Sequence, residues 1–207
     1  MNEKFFELPE EKRQKIVNAG FEVFGLNDYK RASTEEIAVK AGISKGLLFY
    51  YFQNKRALYT FLFDLAANRM KDYVVDGRLF EITDFFEFCE YAAERKCRML
   101  RQSPYIMDFI LRAFYSQNEA VSEDINRKVR DQAAAVYSTY FQGIDTSKFR
   151  DDVRMGDIYQ MLAWMTDGYI RELQRTGRSV ELNDVMDHFK LWSAYLKRVS
   201  YKEEYLK

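Results

Sequence analysis

Histidine is almost missing from this chain: one residue, His188, in 207. There are only two cysteines, Cys89 and Cys97, and both fall on what reads as one helix. So few sulfur and imidazole groups exclude a disulfide framework and a structural zinc site. Proline is equally scarce, with Pro9 and Pro104 alone. With few helix breakers and no alternating strand pattern, the expected fold class is all-α. No apolar run approaches the roughly 20 residues of a membrane span, and the N-terminus has no stretch of signal-peptide length. A cytoplasmic protein without a membrane partner is therefore expected. Net charge is also absent, 32 basic residues balancing 32 acidic ones, so the molecule as a whole gives no electrostatic reason to bind nucleic acid.

What is present is apolar and aromatic. The chain is 47% hydrophobic and 16% aromatic, with 17 Phe and 15 Tyr, enough to bury a substantial core. Charge is unevenly placed: Asp28 to Arg56 carries six Lys/Arg against three Asp/Glu, a local excess of +3 (6 − 3). A basic end on a neutral body is compatible with local contact to phosphate.

Helix signals are dense. Pro9 suits a first turn, Glu10 and Glu11 suit the positive end of a helix dipole, and Ile16, Ala19, Gly20, Val23 and Phe24 make one apolar stripe towards Gly25. Ser33 followed by Glu36 forms a capping box for a short helix ending at Gly42. Ser44 then caps another short helix, and Asn54 caps a longer one. Further helices are expected at about 83–102, 104–116, 122–142, 153–175 and 182–200, with Gly143 and Gly177 as stop signals. The total is about nine helices, with neither an internal repeat nor a low-complexity linker. Two short capped helices joined by a glycine turn, with cationic flanks, outline a helix-turn-helix.

The second short helix reads KGLLFYYF. At about 100° per residue, Leu48 and Phe52 share one side and can pack on Ile37, Ala38 and the Val23/Phe24 stripe. Gly46, Leu47, Tyr50 and Tyr51 point broadly the other way, with Lys45 and Phe49 on the flank. Such a face can present tyrosines and lysines to a DNA groove and its phosphates; the alternative is that Tyr50 and Tyr51 cover a neighbouring helix.

The stretch STEEIAVKAGISKGLLFYYFQNKRALY, preceded by KRQKIVNAGFEVFG, resembles the DNA-binding signature of the tetracycline-repressor (TetR/AcrR) family of bacterial regulators. The similarity covers roughly the first quarter of the chain; the remainder resembles the family as a run of helices, and YLKRVSYKEEYLK resembles family C-termini. The resemblance implies a three-helix DNA-binding domain at 1–54 and a larger helical effector-binding and dimerisation domain at 55–207. It also implies that Ser33 and Thr34 touch phosphate, that Lys45, Gly46, Leu47 and Tyr51 approach bases, that Phe49 and Tyr50 lie against the backbone, and that Lys55 binds phosphate. Leu47 stands where the family often has Thr or Ser, Phe49 where it often has Tyr, and Asp28 where it often has Gly.

One helix-turn-helix binds weakly, so a homodimer on a palindromic double-stranded operator is expected. The last two helices are the candidate contact, through Ile158, Leu162, Tyr169, Val185, Phe189, Trp192 and Leu196, with Trp164 and Leu191 broadening the stripes. The resemblance further implies an effector cavity, for which Phe88, Tyr91, Met107, Phe109, Phe114, Tyr137, Tyr140, Met161 and Met165 are candidates, although aromatic stripes at helical spacing are usually core. No cofactor or metal is expected. His188 has Asp184 and Asp187 nearby but no catalytic spacing, so no enzyme is expected. The leading expectation is a ligand-responsive repressor; the alternative is a helical dimeric ligand-binding protein whose DNA-binding domain is degenerate.

Overall fold

The computed structural model describes residues 2–115 and 120–206, with the side chains of residue 104 and of 131–138 outside the description. Nine α-helices are found among the described residues: α1 Glu10–Leu26, α2 Thr34–Ala41, α3 Lys45–Phe52, α4 Lys55–Val74, α5 Phe85–Arg101, α6 Pro104–Tyr115, α7 Ser122–Tyr140, α8 Met155–Arg175 and α9 Leu182–Ser200. The one β feature among them is an isolated antiparallel bridge between Phe149 and Tyr201. The chain packs as two compact units, Met1–Lys71 with Gln102–Ala135, and Asp72–Arg101 with Val136–Lys207.

In the first unit, α1 crosses α2 and α6. Its stripe of Ile16, Val17, Phe21, Val23 and Phe24 is buried. Phe109 of α6 is fully buried, with ring centroids 5.4 Å from Phe21 and 4.9 Å from Tyr59 of α4. Such edge-on aromatic pairs add to the burial of apolar area. The crossing of α1 and α6 is close because Gly25 lacks a side chain: a Cβ there would stand 3.1 Å from the Tyr105 carbonyl oxygen. Arg112 of α6 donates to the Gly25 carbonyl and, at 3.1 Å, to the Asp28 carboxylate. Asp28 therefore ties the loop after α1 to α6.

In the second unit, α5 and α8 pack on α9. At the start of α5, Phe85, Phe86, Phe149 and Tyr201 form an aromatic cluster, with Phe149 and Tyr201 4.9 Å apart. The Phe85 N–H donates to the Tyr201 hydroxyl at 3.3 Å. Ser193 on α9 is fully buried and donates to Glu90 of α5 at 2.6 Å. Cys89 and Cys97 are free thiols.

Asp84 caps α5, accepting from the Phe86 and Glu87 N–H groups at 3.1 and 3.2 Å, and pairs with Lys148 at 3.1 Å. Burial pushes its carboxyl pKa up, but the Glu87 N–H and the Lys148 ammonium outweigh this, and the net displacement is downward. Its contribution to stability is thus present above the unfolded pKa of about 3.9 and is lost as pH falls through the lower folded value. Asp84→Asn is expected to lower stability at neutral pH by about 1–3 kcal/mol. The difference from the unmodified protein should shrink at pH values below about 4, as denaturant titrations at both pH values would measure.

Candidate nucleic-acid interface

The Ser33 hydroxyl accepts from the Glu36 N–H at 3.3 Å and starts α2. Gly42 ends it in the left-handed region, with φ 69°, where a side chain would be strained. The Ile43 N–H donates back to the Ala38 carbonyl at 3.0 Å, and two residues after the glycine the Ser44 hydroxyl accepts from Leu47 N–H at 3.1 Å to start α3. Asn54 repeats the device for α4, accepting from Ala57 N–H at 2.8 Å. The tight turn between α2 and α3 is therefore built from local hydrogen bonds.

Ile37, Leu48 and Phe52 are fully buried and lock α3 onto α2. Lys45, Gly46, Leu47 and Tyr50 are exposed, Tyr50 to 53%, and Phe49 is half-buried. A Cβ on Gly46 would meet nothing closer than 3.9 Å, so its bareness serves no contact within the chain and leaves room for close approach from outside. Ser33 is exposed and Thr34 half-exposed at the start of α2.

Tyr51 corrects the helical-wheel expectation: it is only 6% exposed. A 3-10 turn at Glu3–Phe5 lies against α3, with the Phe5 ring 5.9 Å from Tyr51 and 4.8 Å from Phe52. The Asn2 N–H donates to the Tyr51 carbonyl at 2.8 Å. The paired phenylalanines before Pro9 were the available sign of this segment.

The basic groups are arranged by contact. Lys45 pairs with Glu35 at 3.2 Å, an exposed pair in which both side chains remain reachable. Lys40 is engaged by Glu22 at 2.9 Å, and this hydrogen bond holds its pKa above the usual lysine range. Lys55, expected as a phosphate ligand, is half-buried; its ammonium donates to the Lys30 carbonyl at 3.3 Å and lies 4.7 Å from the Tyr29 ring centre. Lys30 and Arg31, in the loop that Lys55 braces, are exposed. Their position beside a capped helix start was not singled out from the sequence, because loop lysines carry no periodic signal.

The cavity candidates do not gather in one packing unit. Met107, Phe109 and Phe114 belong to the first unit, where Phe109 is core and Phe114 lies 5.8 Å from Phe63. In the second unit, Phe88 packs on Phe141 at 5.3 Å, the Tyr91 hydroxyl donates to Asp76 at 2.7 Å, and Tyr140 lies 6.3 Å from Phe80. The Tyr137 side chain lies outside the described residues. Met161 and Met165 are exposed on α8 and line no interior wall, which corrects their assignment. A groove of about 500 Å³ between α5 and α9 is polar, lined by Glu94, Cys97, Arg98, Arg101, Asp187 and Lys190 among others.

On α8 and α9 the expected contact stripe is partly core: Ile158, Leu162 and Val185 are buried, and Tyr169, Phe189, Trp192 and Leu196 are half-buried. The outward apolar face is instead Met161, Trp164 and Met165 with Leu191, Tyr195 and Val199; Trp164 is 66% exposed. Periodicity located the apolar sides of these helices, but burial in their own unit claimed the centre of each stripe. His188 stacks on Tyr169 at 4.3 Å, with its Nδ1 2.8 Å from the Asp184 carbonyl oxygen, a structural environment.

The family model described as bacterial regulatory proteins, tetR family, matches residues 16–60, the segment that carries α2, the glycine turn and α3. The chain is 25% identical over 181 residues to the HTH-type transcriptional repressor AcnR of Corynebacterium glutamicum, covering 86% of this chain and 90% of that protein. The fatty acid degradation regulator FadR from Bacillus halodurans has a similar structure, with TM-score 0.70 and 18% identity over 87% of this chain and 97% of that one. FadR from Bacillus subtilis, in complex with stearoyl-CoA, gives TM-score 0.66 and 17% identity over 85% and 96%. A TetR family transcriptional regulator from Chloroflexus aurantiacus gives TM-score 0.63 and 22% identity over 98% and 99%. The motif match falls on the capped helix-turn-helix and the similarity of fold runs through the helices beyond it: residues 16–60 match the tetR family of bacterial regulatory proteins, and the chain shares its fold with solved regulators of that family.

Proposed function

We propose that the chain is a cytoplasmic transcriptional repressor that binds a palindromic operator as a homodimer and leaves it when a small molecule binds. The observation that carries this is the exposed Lys45–Gly46–Leu47–Tyr50 surface on a helix otherwise pinned by Leu48 and Phe52. In this reading residues 1–54 contact DNA and 55–207 bind effector and dimerise. The outward apolar face of α8 and α9 supports a self-contact, since contiguous exposed apolar surface marks interaction sites.

The contacts Arg112–Asp28 and Lys55–Lys30 give a route for control: both tie the loop between α1 and α2 to longer helices. An effector that binds better when α4 and α6 are displaced shifts the population away from the DNA-competent form.

Lys55→Ala is expected to weaken binding to matched and scrambled duplexes alike. It should also shallow the dependence of log affinity on log salt by about one unit. Fluorescence anisotropy across a salt series measures both. An unchanged slope with an unchanged melting temperature would remove Lys55 from the phosphate contacts.

A further inference from the structure

We infer that Leu47 selects thymine in each operator half-site by packing on the C5-methyl group of the base. The inference rests on the reading proposed above, in which α3 enters DNA. Where a helix-turn-helix meets DNA, the N-terminal residues of its second helix reach the base edges in the major groove. In this chain those residues are Lys45, Gly46 and Leu47. Leu47 is 37% exposed, whereas Leu48, Tyr51 and Phe52 of the same helix are buried. Tyr50, one turn on from Gly46 and Leu47 and on their side of the helix, is also exposed. Its ring centre lies 5.6 Å from that of Tyr51, which is itself 5.9 Å from Phe5. Gly46 puts no side chain in front of them, and a Cβ there would meet nothing closer than 3.9 Å. The outer face of α3 therefore begins bare and continues as an apolar ledge made of Leu47 and the Tyr50 ring.

The chemistry available at Leu47 is narrow. Its N–H donates to the Ser44 hydroxyl at 3.1 Å, so the backbone has no donor left there for a base. Its side chain has neither donor nor acceptor. Lys45 differs, since its exposed ammonium, 3.2 Å from Glu35, can turn to a polar partner. Base edges in the major groove present hydrogen-bond donors, acceptors and one apolar group, the C5-methyl of thymine. A leucine pressed on a purine edge or on the cytosine amine would take water from polar groups without replacing their hydrogen bonds, which costs free energy. Over a thymine methyl the same side chain removes apolar surface from water on both partners. Leu47 thus discriminates between bases without making a hydrogen bond.

The test uses the full-length protein and the DNA upstream of its own coding sequence, amplified either with thymidine triphosphate or with deoxyuridine triphosphate in its place. Deoxyuridine keeps the hydrogen-bonding groups of thymidine and lacks only the methyl. Fluorescence anisotropy at low salt keeps weak binding measurable. Burying one methyl is worth about fourfold in affinity, so a two-fold dimer should bind the uracil duplex about 15-fold more weakly than the thymine duplex. Leu47→Ser should bind the two duplexes within about threefold of each other, and Leu47→Met, apolar and of similar volume, should keep a difference of about fivefold or more. Thermal melts check that both variants fold. Equal binding of the two duplexes by the unmodified protein, or a uracil penalty that survives undiminished in Leu47→Ser, overturns the inference and leaves DNA binding standing. Failure of the unmodified protein to bind either duplex overturns the inference together with the reading on which it rests.

Discussion

Phe5→Ala lowers the free energy of unfolding by about 3–5 kcal/mol, the range for deleting a fully buried aromatic side chain. Phe5 is fully buried and its ring meets Phe52 at 4.8 Å, Phe61 at 5.4 Å and Tyr51 at 5.9 Å. Removing it takes away the support beneath α3 and leaves a cavity between α3 and α4. Against a total stability of about 5–15 kcal/mol, the loss is a large fraction. Phe6, 52% exposed, is the internal comparison: Phe6→Ala should stay within about 0.5 kcal/mol. Urea titrations followed by circular dichroism distinguish the two. A cost below about 1 kcal/mol for Phe5→Ala would mean that the segment before α1 is not part of the fold.

The double variant Lys45→Ala/Tyr50→Ala binds operator about 100-fold more weakly while melting at nearly the same temperature. Both side chains are exposed, and the Lys45–Glu35 pair is a surface ion pair that contributes little to folding. If one reading head loses about 1.4 kcal/mol of contact energy, a two-fold dimer loses about 2.8 kcal/mol, which is the stated factor. Electrophoretic mobility shifts read the affinity, and thermal melts check the fold. Undiminished binding would show that α3 does not enter the groove.

The helices were legible because their ends are chemically marked. Ser33, Ser44 and Asn54 each cap a helix as their spacing predicted, and Gly42 takes the left-handed conformation expected of it. The periodic stripe of α1 likewise marked the core. What escaped the sequence depends on contacts between distant segments. Tyr51, three residues after Leu48 and so about 60° from it on the wheel, shares the buried side of α3, where the turn around Phe5 covers it. The stripes of α8 and α9 were visible, but not which part of each is consumed inside the unit, so Ile158, Leu162 and Val185 are core while Met161 and Met165 face outward. Lys55 carries little signal, since a charged residue at a helix start reads as solvated and only packing turns its ammonium onto the Lys30 carbonyl. Gln53 is similar: its positive φ of 64°, which bends the chain from α3 into α4, has no marker in the residue type.

The central claim is that α3 reads DNA on behalf of a symmetric regulator. Its most direct test is a salt-dependent binding titration of the purified protein on the DNA upstream of its own coding sequence, with a scrambled duplex alongside. Saturable binding is predicted, with log affinity falling linearly with log salt and a preference for an inverted repeat whose half-sites lie about 34–36 Å apart. Equal affinity for the upstream and scrambled duplexes, or no binding to either at low salt, would contradict it.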